Sequence, residues 1–410
     1  MTDGGRGHDQ AQWPLELHEP FATSAQRGVP LVWASGEGDT LTALLGWGEA
    51  FRATARGTDR FGVLDDAFTA WVATLPPDAN PIAFATVAFA NDSWAESVLI
   101  VPALVGRWAD GVLTVTPNAP GGRPHLPAAQ DPAEFEELEL LPGQLTRQRY
   151  RQAVSAAVVR IADGEVEKVV LARDLLASAP DPLDVSTLIT RLQHANPTSY
   201  TFHVDGMVGA SPEMLIATTG ASVRSQVLAG SAPVTGDPET DAAAAAELAA
   251  SAKDRVEHAY ATESVVSRLR SLADVSADEP HIKRLPRIMH LATDVTGTLR
   301  TPRSALAIAG VVHPSAAVCG TPTEDAFALI AELEGFDRGR YAGPVGWVDA
   351  RGDGEFVIAL RCGQVTPDGT GIRLFAGGGI VAGSVPSDEL AETARKFLPM
   401  YEALSPVDRP

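Results

Sequence analysis

Residues 197–210 read PTSYTFHVDGMVGA, and this stretch decides the fold class. Apolar and polar side chains alternate on both sides of Asp205-Gly206, a pair that tolerates the positive φ angles of a two-residue turn, so the spacing predicts a β-hairpin. A hairpin joins antiparallel neighbours. Working outward, residues 222–228 (SVRSQVL) read as a third strand and residues 168–177 (KVVLARDLLA) as an upstream one, with further strands at 343–350, 355–365 and 371–375. The helical period appears in residues 148–162, where Tyr150, Val154, Val158 and Ile161 share a face. Residues 240–272 are rich in Ala, Glu and Leu and hold no Pro or Gly, which predicts one long helix. A closing helix is expected over 388–404. The class is α/β (α+β), with mostly antiparallel sheet.

Toward the N-terminus, residues 40–51 read as an amphipathic helical window, and residues 81–90 (PIAFATVAFA) and 97–105 (SVLIVPALV) as strands. Residues 117–132 are too rich in Pro and Gly for either element and read as a connection. The 410 residues are 45% hydrophobic and 20% charged, which excludes disorder. Acidic side chains number 52 against 32 basic, a net charge of −20 that repels phosphate backbones and anionic lipids. Nucleic acid and membrane surfaces are therefore not expected partners. Two cysteines, Cys319 and Cys362, are too few for a disulfide framework or a cysteine-rich zinc site. Residues 1–10 lack an apolar targeting core and no apolar run nears the ~18 residues that span a bilayer, so a cytoplasmic location is expected. Only four of the basic residues are lysines: Lys168, Lys253, Lys283 and Lys396. Arginine stays charged at any working pH, whereas a desolvated lysine can act as a base, so these four positions stand out.

Three constellations could carry chemistry. In residues 254–258 (DRVEH), Asp254 with Glu257 or His258 would share one helical face. Glu389, Glu392 and Lys396 form a similar stripe in the closing helix. Charged helical stripes commonly just face water, and Glu392 to Lys396 also makes an ordinary i,i+4 pair. Residues 375–380 (FAGGGI) hold three consecutive glycines whose bare amides could approach an anion, although a plain loop is the commoner meaning. Their spacing matches neither the Rossmann nor the Walker pattern. Together, two oxygen-rich helical faces and a glycine cradle would suit a hard cation such as Mg2+ holding a carboxylate substrate. Zinc and serine-hydrolase readings lack HExxH and GxSxG motifs.

The ordered series KVVLAR (168–173), GASPEML (209–215), LAGSAP (228–233), KDRVEH (253–258), MHLATDVTGTL (289–299), HPSAAVCGTP (313–322), FDRGRYAGPVGWVDARGDGEFVIALRCG (336–363) and AGGGIV (376–381) resembles the chorismate-utilising enzymes, and most closely the isochorismate synthases. The resemblance covers residues 146–405. It implies one large fold, a sandwich-like core of extended sheets flanked by helices, with residues 1–145 as an N-terminal part of it and 406–410 as a tail. It also implies the substrate chorismate, Mg2+ as cofactor, a monomer, and no glutamine amidotransferase subunit, for which neither cysteine lies in a suitable motif. Such enzymes serve menaquinone and siderophore pathways alike.

The resemblance further implies residue roles. Lys168 matches the lysine that activates water for attack at C2, and Glu213 the acid that protonates the departing C4 hydroxyl. Such a base must be neutral and such an acid protonated, states that desolvation favours. Glu257 and Glu392 match direct Mg2+ ligands, with Asp254 and Glu389 holding the metal's waters. Ser231, His290, Ala317, Tyr341, Arg361, Lys396 and the amides of Gly377, Gly378 and Gly379 match groups around the substrate. Anthranilate and aminodeoxychorismate synthases lack the lysine at Lys168, and the latter carry a nucleophilic lysine where Ala229 stands, so water is the expected nucleophile. Tyr341 is the residue type of salicylate synthases, which go on to eliminate pyruvate; Ala317 is the small residue of isochorismate synthases. A non-catalytic binding module would have lost at least one of Lys168, Glu213, Glu257 and Glu392, and all four are present.

Overall fold

The computed structural model describes residues 14–120, 125–133, 135 and 138–406. The expectations for residues 1–10, for 121–124 within the Pro/Gly connection and for 407–410 of the tail lie outside the described residues. Among the described residues the strands form two antiparallel sheets, one of twelve strands and one of ten. The hairpin stands inside the larger: Tyr200–Val204 pairs with Met207–Ser211, and Asp205 and Gly206 take φ angles of 51° and 77°. On one flank follow Leu31–Ser35 and Thr42–Trp47; on the other, Cys362–Val365, Gly371–Ile380 and Lys168–Ser178. The smaller sheet runs through Ile288–Leu299, Ser222–Pro233, Met214–Thr219, Gly354–Ile358, Pro344–Asp349 and Ile82–Thr86. Strands from the first hundred residues thus lie within both sheets.

The period of two along each strand builds the core. Trp33, Leu44, Phe202, Val204 and Met207 of the larger sheet share one buried cluster with Phe84, Leu99, Ile216, Val345 and Phe356 of the smaller. Their neighbours Val32, Ala34, Ala43, Leu45, Val208 and Ala210 belong to a second cluster with Leu188, Leu192, Phe397 and Met400, from helices Val185–Ala195 and Pro386–Leu404. One face of the larger sheet therefore meets the smaller sheet and the other meets helices. No helix among the described residues is long and apolar enough to cross a membrane.

Several expectations need correction. Residues 40–51 are not helical: Thr42–Trp47 and Phe51–Ala55 are strands. With Ala43, Leu44 and Leu45 all buried, on alternate faces, the polar alternation that marks a strand is absent. The run 97–105 splits at Pro102 into Ser97–Val101 of the smaller sheet and Leu104–Ala109 of the larger. The run 355–365 splits in the same way, into Gly354–Ile358 and Cys362–Val365. The long helix breaks at Ser251, giving Pro238–Ala250 and Ala252–Arg270. Ser251 is extended (ψ 116°), its hydroxyl accepts from the Asp254 amide at 3.2 Å and pairs with the Asp254 carboxylate, so Ser-x-x-Asp starts a new helix. The glycine triplet is no loop, because strand Gly371–Ile380 continues through it.

Two of the short segments that pass from one sheet to the other lie side by side. Ser211 ends a strand of the larger sheet and Met214 begins one of the smaller; Ile358 and Cys362 make the reverse crossing. The Ser211 hydroxyl donates to the Ile358 carbonyl at 2.6 Å and ties the crossings together. Glu213 sits on one crossing and Arg361, with φ +48°, on the other.

Candidate active site

Beside this seam lies a cavity. Glu213, Ser231, Glu257, His290, Ala317, Tyr341, Arg361, Gly377, Gly378, Gly379, Glu392 and Lys396 all line it, so twelve of the fifteen residues singled out in the sequence meet at one place. Lys168, Asp254 and Glu389 stand behind its wall. Lys168 is wholly buried at the start of its strand, its Nζ 3.4 Å from Glu257 Oε1 and without a hydrogen-bond partner. Asp254 bonds to Ser251, and Glu389 accepts from Lys253 Nζ (2.9 Å) and Ser384 Oγ (2.7 Å).

The glycine strand explains how the carboxylates come so close. Gly377, Gly378 and Gly379 pair with Ala172, Leu171 and Val170, and beyond Leu374 no strand among the described residues pairs on their other flank. Alternate amides there point away from the ladder and toward the cavity. A Cβ on Gly379 would sit 2.0 Å from Glu257 Oε1 and 3.0 Å from Lys168 Cε; one on Gly378 would sit 3.2 Å from Glu389 Oε2 and 3.8 Å from Glu392 Oε1. None of the three has a positive φ, so closeness, not conformation, excludes side chains here. Glu257 and Glu392 offer hard oxygen donors to one space, which fits Mg2+ held by two protein carboxylates and completed by water and substrate. Among the described residues no three Asp, Glu, His or Cys side chains converge on a metal position.

Charge is distributed unevenly over the walls. Burial drives the Glu213 carboxyl up to about 7, against the Leu228 amide and the charges of Lys168, Arg361 and Lys396. Burial also works against ionisation of Glu392, but Lys396 at 2.6 Å outweighs it and holds that carboxyl down to about 2. Lys396 also donates to the Gly377 carbonyl at 2.8 Å. Burial, then Arg361 and Lys396, pushes His290 down to about 3, so the ring is neutral. Its Nδ1 lies 3.0 Å from the Gly230 carbonyl, which can only accept, leaving Nε2 to accept from Arg361 Nη2 at 3.3 Å. Gly230 is the bulge of strand Ser222–Pro233, with φ +72°. Tyr341 stacks on Phe375, ring centroids 4.9 Å apart. The cavity thus offers an acid and cations for anionic groups, with a buried lysine nitrogen directly behind its wall.

Residues 125–405 match the family model described as chorismate binding enzyme. The chain belongs to the chorismate binding enzymes. It is 45% identical over 256 residues to the provisionally named isochorismate synthase MenF of Mycobacterium tuberculosis, covering 59% of this chain and 68% of that one. Isochorismate synthase DhbC of Bacillus subtilis is 40% identical over 269 residues, covering 62% and 67%. A Bacillus anthracis crystal structure, provisionally identified as the 2,3-dihydroxybenzoate-specific isochorismate synthase DhbC, superposes with a TM-score of 0.77 at 33% identity, covering 91% of this chain and 96% of that one.

In this chorismate binding enzyme the sequence reading missed a second tier of residues. Arg338 and Glu334 form a fully buried ion pair; Arg338 donates to the carbonyls of Val318 (2.9 Å) and Val170 (2.7 Å), and Glu334 accepts from the Ala172 amide (2.7 Å). The pair braces the Lys168 strand, and Arg338 reaches the cavity wall. Its place in the quoted FDRGR run was the available signal. Lys283, one of the four lysines that stand out in the sequence though outside the motifs, donates to the Pro212 carbonyl at 3.1 Å, beside Glu213, and to Gln226. All four lysines of the chain therefore touch the site or the residues next to it.

Proposed function

We propose that the chain is an isochorismate synthase, converting chorismate reversibly to isochorismate. Water adds at C2, the ring double bonds shift, and the C4 hydroxyl departs as water, so one water enters and one leaves. The observation that carries this reading is Lys168 and Glu213 around one cavity: a lysine nitrogen buried behind its wall, 3.4 Å from Glu257 and without a hydrogen-bond partner, and a carboxyl on the wall kept protonated near neutral pH by burial. In its neutral form Lys168 takes a proton from the attacking water, and Glu213 gives one to the departing hydroxyl; positioned proton transfer of this kind contributes about 10²–10⁴ in rate. Arg361, Lys396 and the outward amides of the glycine strand receive the substrate's two carboxylates. Glu257 and Glu392 would hold Mg2+, which when bound neutralises the ring carboxylate. Asp254 and Glu389, each engaged elsewhere, support those two ligands from behind.

The relatives named isochorismate synthase support the same reaction, as does the small Ala229 where a lysine nucleophile would otherwise reach in. Tyr341 favours one second reading, in which isochorismate goes on to lose pyruvate and give salicylate. Chromatography of products from purified protein and chorismate, with Mg2+ or EDTA and with ammonium in a parallel sample, separates the two. Isochorismate in equilibrium with chorismate, dependent on Mg2+ and indifferent to ammonium, is the expected result. Salicylate with pyruvate as the main product moves the assignment, and absence of turnover refutes it.

A further inference from the structure

A second cavity, of about 630 Å³, opens between strand Glu139–Pro142, the start of helix Arg147–Ala162 and the closing helix Pro386–Leu404. Its charge is unusual for a protein of net charge −20. Arg173 is only 3% exposed, yet its one side-chain hydrogen bond runs from Nε to the Thr393 hydroxyl at 2.9 Å, and its guanidinium lies over the Phe397 ring at 4.7 Å. Arg147 stands on the same rim. Among the described residues neither arginine has a carboxylate within ion-pair distance. Asp174, the one acid on the wall among the described residues, is already engaged: Oδ2 holds Arg373 at 2.8 Å and Oδ1 accepts from the Leu145 amide at 3.2 Å. Two guanidinium groups thus face one space and act against each other there, with only the shared Asp174 to balance them among the described residues, an arrangement that an anion would relieve.

The rest of the wall says what kind of anion. Leu140, Leu141, Pro142, Leu145, Phe397 and Tyr401 make it apolar and partly aromatic. Leu140 and Leu141 are 49% and 36% exposed, so they present free apolar surface. A phosphate would leave these side chains bare, whereas a flat ring bearing one carboxylate fills both halves, its ring beside Tyr401 and its charge on the arginines.

We propose that this cavity is a ligand site for a small aromatic carboxylate, separate from the catalytic cavity. Binding here is independent of what the first cavity catalyses. Thr393 and Phe397, which hold Arg173, directly follow Glu392 and Lys396, so the two sites share one helix and lie on neighbouring faces of it, about 100° apart.

Benzoate titrated calorimetrically into the full chain, with benzyl alcohol as the uncharged control, tests the site. Benzoate should bind with a dissociation constant of about a millimolar or tighter, and benzyl alcohol far more weakly. Arg147→Glu reverses a rim charge and Leu141→Trp fills the apolar half; both residues are at the surface and outside the catalytic cavity. Each should weaken benzoate at least about tenfold and leave turnover measured without benzoate unchanged. Absence of benzoate binding, binding undiminished in either variant, or exclusion of benzoate by saturating chorismate would each overturn the proposal.

Discussion

Glu213 is a carboxyl whose ionisation works against the fold. Burial raises it from 4.5 to about 7, so the folded chain binds this proton more tightly than the unfolded one does. Its contribution to stability is complete below pH 4.5 and is lost as the pH rises through 7, a loss of about 3 kcal/mol from one group. Glu213→Gln removes that loss and the acid together. The variant should be inactive yet more stable than the parent at pH 8, with the difference shrinking toward pH 5; urea denaturation at the two pH values checks this, and parallel pH profiles would count against it. The same titration sets the alkaline limb of turnover, which should fall as Glu213 deprotonates. At Lys168 the expectation is simpler. Lys168→Ala should keep the fold and lose about a hundredfold or more in turnover, and Lys168→Arg should not restore it, because a guanidinium keeps its proton. Near-parental turnover in either variant refutes the base assignment.

The glycine strand lets two elements touch that side chains would hold apart. Gly379→Ala places a methyl where Glu257 Oε1 now lies, 2.0 Å from the Cβ position, without straining the backbone. Circular dichroism should therefore show a folded protein, while Mg2+ titration of turnover shifts to higher concentration; an unshifted titration refutes Glu257 as a ligand. Ser251→Ala removes the hydroxyl that starts helix Ala252–Arg270 and should cost about 1 kcal/mol by thermal unfolding. These two elements also show where reading from sequence stops. The hairpin at Asp205-Gly206 and the closing helix were legible because a turn dipeptide and a 3.6-residue period are local signals. The break at Ser251 was equally local, a Ser-x-x-Asp inside an alanine-rich run, but high helix propensity on both sides masked it. The glycine triplet was illegible for another reason. What makes it a strand is its pairing with residues 170–172, some two hundred positions upstream, and no local preference reports that. The positions proposed as catalytic and carboxylate-binding came from motif resemblance; Arg338, Glu334 and Lys283 escaped it because they act on backbone carbonyls and amides, whose positions a motif does not reveal.

Both sheets depend on the N-terminal residues. Leu31–Ser35 lies between the hairpin and Thr42–Trp47, and Ile82–Thr86 covers Pro344–Asp349. A chain of residues 125–405 would carry the whole family match but expose the flanks of Tyr200–Val204 and Pro344–Asp349, with about a quarter of the core cluster missing. It should fail to give a native near-ultraviolet circular dichroism spectrum and should be digested by protease far faster than the full chain; a stable, dispersed fragment would show that the N-terminal strands are dispensable. Unpaired edges of that length also invite aggregation.

The paired crossings at residues 212–213 and 359–361 turn the catalytic cavity into a gauge of how the two sheets lie on each other. Lys168 and the glycine triplet ride on the larger sheet, whereas Glu213 and Arg361 hang from the threads that stitch it to the smaller. Any slip of one layer over the other changes the spacing between Lys168 and Glu213, the proposed proton acceptor and donor. Contacts deep in the interlayer packing, such as Gly46 against Phe84 and Pro102, then help set the spacing of the proposed catalytic pair. Bulk added there would surface as a slower reaction before it surfaced as a melted protein.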